Sequence, residues 1–304
     1  MGAGPSTASN GSLSLKGDIA VVVGASQGIG LGVARRFARA GANVWIVVRN
    51  EQKGKAVVDE LKQLGAPDAR YSLADLSSKD DCQRAAGEIK TAAGEGGIGY
   101  LIQTQGGPPG AHDDAPGIDP HFAVQVFSRV ILAYELRHTV KRSSVAIAIA
   151  GMGAKQFDTD DITLDRVKAS GRASSALAKI VTIGGRDATV LDAAWLELAK
   201  DSSPDVQYLH LFPGVVKTNV MANTGQSAFF IWMSWLAGVL MGRTIDQYAE
   251  IPFFLTANPE GRKFVERGGM FWNERFKKVG AAPRAEDEST RKAIWDWLLA
   301  QMAR

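Results

Sequence analysis

A single cysteine, Cys82, leaves this chain of 304 residues no internal disulfide and suits a reducing compartment. Its four histidines, at positions 112, 121, 138 and 210, stand at no spacing that metal ligation uses, so no metal is expected. No run of like charge is long enough to form a tail. The net charge is only +3 with both signs interspersed, which provides no strong field for nucleic acid and argues against it as a partner. No apolar run reaches the roughly 20 residues that a membrane span needs, and the most hydrophobic stretch, 228–242 (AFFIWMSWLAGVLMG), falls short. The opening, 1–17, is small and polar and lacks the apolar core of a secretory signal. A disordered leader over 1–14 and a cytoplasmic location are therefore expected. Gly2 with Ser6 or Thr7 is only a loose match to a myristoylation signal.

What is there organises itself around 19–41, IAVVVGASQGIGLGVARRFARAG. The apolar run Ile19 to Val23 suits a strand buried on both faces of a parallel sheet. Gly24, Gly28 and Gly30 follow, and then Val33, Phe37 and Ala40 recur at helical spacing. Only glycine lets the backbone turn that sharply and approach a ligand closely, and a helix start presents unpaired N–H groups to a phosphate. The strand–turn–helix context predicts a pyrophosphate cradle at Gly24, Ser26, Gln27, Gly28, Ile29 and Gly30.

Further strands are predicted over 42–48, 69–73, 98–103, 145–150 and 206–212, with a short last one at 270–272. Helices are predicted over 51–64, 80–93, 118–141, 170–200 with a break at Gly184-Gly185, and 286–302 packed on the sheet. The alternation implies one α/β domain over 15–304, a Rossmann-type doubly wound parallel sheet with ligand at the carboxyl ends of the strands. The second strand ends in Arg49, where such a fold reads the ribose. An acid there would bond both hydroxyls, whereas arginine accommodates a 2′-phosphate, so NADP(H) is the expected cofactor. Asp75, ending the third strand, is placed to accept from an adenine amine or to start the next helix with Ser77 and Ser78.

These features resemble the short-chain dehydrogenase/reductase family from about Leu15 onward. Its T-G-x-x-x-G-x-G turn is similar to Val23-Gly24-Ala25-Ser26-Gln27-Gly28-Ile29-Gly30. Its N-N-A-G loop resembles Thr104-Gln105-Gly106-Gly107, and its P-G-x-x-x-T segment resembles Pro213, Gly214 and Thr218. The resemblance implies that Pro213, Gly214 and Thr218 contact the nicotinamide end and that Gln105 and Gly106 line the same site. The family's catalytic Asn, Ser, Tyr and Lys are not matched. Gln125 stands for the Asn, Ala150-Gly151 for the serine pair, and no tyrosine is followed by lysine four places on. Thr182 and Arg186 occupy that window, and an alkyl hydroxyl with an always-charged arginine cannot copy a tyrosine–lysine relay.

Gln125, Asp158 and Arg186 are the candidate catalytic residues, with Asp160, Asp161 and Arg129 beside them. A carboxyl group raised in pKa near the nicotinamide would serve as an acid. The segment 228–242 falls where the resemblance puts a substrate lid, and Trp232, Met233 and Trp235 there favour a bulky apolar metabolite. Core packing, a homo-oligomer interface and peripheral membrane contact are the other readings of that stretch. The expected reaction is NADPH-dependent reduction of a ketone, iminium or activated alkene, such as secondary metabolism supplies. A non-redox isomerase or cyclase that keeps the NADP site, and an inactive NADP-binding regulator, stay open.

Overall fold

The computed structural model describes residues 10–11, 13–107, 117–148, 153–171, 175–214, 216–218, 243–268, 270–273 and 275–304. Among these, seven parallel strands form one sheet: β1 Ile19–Val23, β2 Asn43–Val48, β3 Ala69–Leu73, β4 Ile98–Gln103, β5 Val140–Ile147, β6 Gln207–Leu211 and β7 Phe271–Trp272. Their spatial order is β3-β2-β1-β4-β5-β6-β7. The order reverses between β1 and β4, and a doubly wound sheet opens a crevice at that switch point.

The sheet is covered on both faces, which is why its central strands read as continuous apolar runs. Val21 and Val23 enter one layer with Ile89, Val126, Ile131 and Trp195; Ala20 and Val22 enter the other with Val33, Phe37 and Phe253. The first layer holds α3 (Lys79–Ala93), α5 (Ser128–Leu136), α7 (Ala176–Lys200) and α11 (Glu288–Ala303); the second holds α1 (Gly28–Arg39), α2 (Glu51–Gln63) and α8 (Ile245–Ala257). The remaining helices are α4 (Pro120–Phe122), α6 (Asp165–Ala169), α9 (Pro259–Gly268) and α10 (Pro283–Glu286).

Several sequence expectations are corrected by the fold. The helix expected over 118–141 stops at Leu136, and β5 starts at Val140 rather than 145. Lys141 and Arg142 look like a helix end, but they are exposed residues at the start of a strand whose Ser143 and Ser144 are buried in mid-sheet. The helix α7 runs through Gly184-Gly185 without a break. Gly185 is instead a crossing point: the Gly185 carbonyl accepts from Ala154 N at 3.1 Å, and a Cβ on Gly185 would sit 3.5 Å from Ala154. The closing helix α11 packs chiefly on α7, with Ile294 and Leu298 fully buried. The leader expected over 1–14 reaches too far inward, because Asn10 is buried. Its side chain donates to Glu250 Oε2 at 2.7 Å, and its carbonyl accepts from Arg36 Nη2 at 2.7 Å. The expected serine-pair position at 150–151 and the lid at 228–242 lie outside the described residues. No helix among the described residues is long and apolar enough to cross a membrane.

Candidate active site

The carboxyl ends of β1, β2, β4 and β5 border a cleft of about 690 Å³. At its centre the glycine turn is made by close backbone packing. Gly24 holds φ at 81°, and a Cβ there would lie 2.9 Å from Gln105 N. A Cβ on Gly30 would lie 2.5 Å from the Gly24 carbonyl oxygen, so any side chain would force the turn off β4. Thr104 Oγ1 closes the same junction, donating to Val23 O at 2.7 Å. Gly28, at φ 61°, differs from both: a Cβ there would meet only Thr218, with Cγ2 at 3.6 Å, so this glycine faces the cleft. The residue before α1, Gln27, makes no side-chain cap, and the first N–H groups of α1 therefore point at the cleft without a side-chain acceptor at that position.

Of the residues expected to hold a dinucleotide, Gly24, Ser26, Gln27, Gly28, Ile29, Gly30, Arg49, Asp75, Gln105, Gly106, Pro213 and Thr218 line this one cleft. Gly214 does not line it; at φ 62° it turns the chain beyond Pro213. Arg49 and Asp75 lie together at one end, on the β2 and β3 side of the switch point. The Asp75 carboxylate accepts from Ser77 N at 3.0 Å and Ser77 Oγ at 2.8 Å, and these bonds, aided by the Arg49 charge, hold it below the ordinary carboxylate range. The helix-start alternative belongs to Ser78, which caps α3 by accepting from Asp81 N.

The other end is built from the stretch after Asp119. There α4 passes into α5 through a π-helical turn, Ala123–Phe127, the kind of irregularity that recurs at functional sites. It carries Val124 and Gln125 to the cleft beside Pro120 and His121. Gln125 Oε1 accepts from Gly107 N at 3.2 Å, and it comes so close to Gly106 that a Cβ there would overlap it. Gln105 Nε2 donates to Gln103 Oε1 and to Ser128 Oγ, leaving Gln105 Oε1 buried without a partner among the described residues.

Arg129, which sequence left between pocket and surface, is fully buried at the cleft floor. Its guanidinium donates to the carbonyl oxygens of Gln125, Gln105 and, at 3.0 Å, Ile147, tying the ends of β4 and β5 together. Burial pulls it down to about 9, with Asp187 acting the other way, so it stays charged at neutral pH.

Asp158 and Arg186 are not brought to the cleft as expected. Asp158 is exposed on a turn, paired with Arg166 Nη1 at 3.1 Å and accepting from Asp160 N; Asp161 accepts from Arg166 N. Asp158 and Asp160 are exposed, and none of the three carboxylates lines the cleft. Arg186 is fully buried behind the cleft wall, its Nε donating to Asp187 Oδ1 at 2.7 Å and its guanidinium carbon 4.3 Å from the centre of the Phe122 ring. Thr182 does not line the cleft either. What sequence reading missed is Asp187, next to Arg186, which bonds His121 Nε2 through Oδ2 at 2.8 Å. No local signal announces that pair, whose members stand 66 residues apart. Among the described residues no group of three potential ligands is placed to hold a metal.

A model of the short chain dehydrogenase family matches residues 18–156, which carry the glycine turn, Arg49, Asp75 and the stretch through Arg129. Over that stretch, a little under half of the chain, the sequence is that of a short chain dehydrogenase. An oxidoreductase of Emericella nidulans is 27% identical over 226 residues, 71% of this chain and 64% of that protein. An 11-beta-hydroxysteroid dehydrogenase-like protein of Arabidopsis thaliana is 33% identical over 92 residues, 30% of each chain. The chain thus spans less than two thirds of these relatives. Among solved structures, a 7 alpha-hydroxysteroid dehydrogenase complexed with NADH and 7-oxo glycochenodeoxycholic acid superposes with a TM-score of 0.61 at 19% identity, covering 90% of this chain and 98% of that one. A Burkholderia cenocepacia short chain dehydrogenase in complex with NADP gives 0.60 at 23%, covering 85% and 96%. At these identities the superpositions establish the fold.

Proposed function

We propose that this protein is an NADPH-dependent reductase acting on a bulky apolar ketone, iminium or activated alkene. The observation that carries the reading is the single cleft that joins a glycine cradle, an arginine at the ribose-reading strand end and a buried polar end across the switch point. The residues present fit a nicotinamide dinucleotide: the cradle is pinched where a Cβ would clash and open at Gly28, and α1 begins uncapped. When bound, NADPH supplies a hydride.

The chain's own residues divide the remaining work. The α1 N–H groups donate to the pyrophosphate beside Gly28, Arg49 donates to the 2′-phosphate, and Asp75 accepts from the adenine amine. Pro213 and Thr218 border the nicotinamide end. Gln125, held by Gly107 N, and the charged Arg129 polarise the pocket where a carbonyl oxygen gains charge. An apolar substrate is supported by the composition of 228–242 and by several hydroxysteroid dehydrogenases and dehydrogenase-like proteins among the similar sequences.

Fluorescence titration with both nucleotides tests the cofactor assignment. Arg49→Ala weakens NADPH by about tenfold or more, as expected for a lost charge-assisted phosphate contact, and leaves NADH nearly unchanged. Equal losses overturn the phosphate contact. A protein that binds NADPH yet never oxidises it with ketones, enals or cyclic imines shifts the assignment to the non-redox isomerase or cyclase.

A further inference from the structure

The floor of the cleft holds a buried charge that the fold leaves unbalanced. Arg129 is 1% exposed, and among the described residues its guanidinium hydrogen-bonds only the carbonyl oxygens of Gln125, Gln105 and Ile147. Those dipoles solvate a cation without neutralising it. Its Nε–H is buried with no acceptor. Among the described residues one carboxylate acts on it, that of Asp187, which already pairs with Arg186 Nε at 2.7 Å and bonds His121. A structural tie between the ends of β4 and β5 needs hydrogen bonds but no net charge, and a buried charge without its own partner is costly. The charge therefore calls for a reason outside the fold.

Its place along the cleft decides what it faces. Arg49 and Asp75 occupy the β2 and β3 side of the switch point, whereas Arg129 bonds the loop after β4 at Gln105 and the last residue of β5, Ile147. A dinucleotide lying across the switch point with its adenine beside Asp75 has its nicotinamide half on the Arg129 side. That ring is neutral in NADPH and positively charged in NADP⁺. Every other part of the two nucleotides is the same.

We propose that Arg129 makes the cleft selective for the reduced cofactor, accepting the neutral ring of NADPH and repelling the cationic ring of NADP⁺. The assignment rests on the nicotinamide-dinucleotide reading of the cleft and holds for its reductase and its non-redox versions alike.

Burial gives the repulsion its reach, because a cation out of water is screened far less than one at the surface. The other charged groups at the cleft do not discriminate in this way. Arg49 stands at the adenine end, where the two nucleotides are identical, and Lys217 is exposed at the rim, where water and salt screen it. Arg186 lies behind the wall, shared between Asp187 and Asp119, and the Asp187 carboxylate that bonds His121 offsets charge on that ring. Gln125, held by Gly107 N, brings a dipole and no charge. In a reductase, Arg129 then speeds release of the spent nucleotide and makes NADP⁺ a weak competitor of NADPH. In a non-redox site, the same charge keeps NADPH resident.

Binding to the full chain at pH 7, with no substrate present, tests the assignment. Isothermal titration of the wild type is expected to show NADPH bound about tenfold or more tighter than NADP⁺, and NADP⁺ bound no tighter than 2′-phospho-ADP-ribose, which lacks the ring. Arg129→Met is expected to narrow the NADPH preference about fivefold or more, chiefly by gaining NADP⁺ affinity, while Arg129→Lys keeps the charge and most of the preference. Circular dichroism and an unchanged affinity for 2′-phospho-ADP-ribose establish that each variant is folded with its adenine side intact, and the wild-type comparison stands even where a variant fails to fold. Equal wild-type affinities for NADPH and NADP⁺, NADP⁺ bound tighter than the ring-less analogue, or an unchanged preference in folded Arg129→Met overturns the proposal. If neither NADPH nor the ring-less analogue binds, the cofactor reading of the cleft is defeated, and this assignment with it.

Discussion

At the glycine turn, Gly24 meets the Gln105 backbone after β4, and Gly30 meets the Gly24 carbonyl and the Thr104 hydroxyl, each too closely for a Cβ to fit. At the other end of the same cleft, Gln125, Arg129 and His121 are held by hydrogen bonds to Gly107, Gln105, Ile147 and Asp187, partners 18 to 66 residues away in sequence. One end is shaped by what is absent from the side chains, the other by charged side chains folded inward. The first kind of site tolerates no added atom. The second tolerates small changes in volume but depends on every polar partner being present, since a buried charge left unpaired is costly.

Adding volume at the cradle produces the largest effect. Gly30→Val is expected to lose about 2–4 kcal/mol of stability, because the new side chain overlaps the Gly24 carbonyl and Thr104; urea denaturation measures it. Gly28→Ala sharpens the contrast. Its methyl group enters open cleft, so the stability loss is limited to the left-handed strain, about 1 kcal/mol, while NADPH affinity drops far more than in proportion. A Gly28 variant that binds NADPH normally would break the cradle assignment.

Removing a polar partner comes next. Asp192, five places after Asp187 on α7, is buried between His210 Nδ1, at 2.5 Å, and Ala282 N, at 2.7 Å. Asp192→Ala leaves two donors unanswered and is expected to lose about 2–3 kcal/mol, with NADPH affinity unchanged because the pair does not border the cleft. The two aspartates on one helix thus hold two histidines, one beside the cleft and one away from it.

The pH dependence of stability separates them further. Asp187 titrates below its ordinary value in the fold, so its contribution is complete above about pH 4, the unfolded value, and is lost as pH falls through the lower folded value. Asp187→Asn is therefore expected to lower stability at pH 7 and to flatten its decline as the pH falls below about 4, seen in urea midpoints. A decline as steep as in the wild type would mean that another carboxylate carries it.

The difference between the two ends also explains what was legible beforehand. The sheet and the glycine turn are written in contiguous residues, as apolar runs and glycine spacing, and apart from the start of β5 those stretches fall where expected, while Arg49 at its strand end lines the cleft. Boundaries failed where tertiary context overrode local pattern: Ser143 and Ser144 sit in a buried strand, and Gly184-Gly185 stay helical, Gly185 lying where the segment at Ala154 crosses the helix. At the other end of the cleft, position along the chain was the reason to expect Asp158 and Arg186. Only folding shows that Asp158 pairs with Arg166 on the surface, that Arg186 lies behind the wall, and that Asp187 reaches His121.

The smallest effect is expected at Asp75, where the two kinds of construction meet. Its carboxylate is part of a local turn with Ser77, yet it also faces the cleft beside Arg49. If it accepts from the adenine, Asp75→Ala weakens NADPH and NADH by the same two- to fivefold, about 0.5–1 kcal/mol, because the adenine is common to both. Ser77→Ala, which removes one of the bonds holding that carboxylate, then weakens both nucleotides by less. If the turn is its whole role, the two variants lower thermal stability together and leave both affinities unchanged. Isothermal titration with each nucleotide, read beside the melting temperatures, decides between these, and unequal losses for NADPH and NADH would place the 2′-phosphate closer to Asp75 than Arg49 allows.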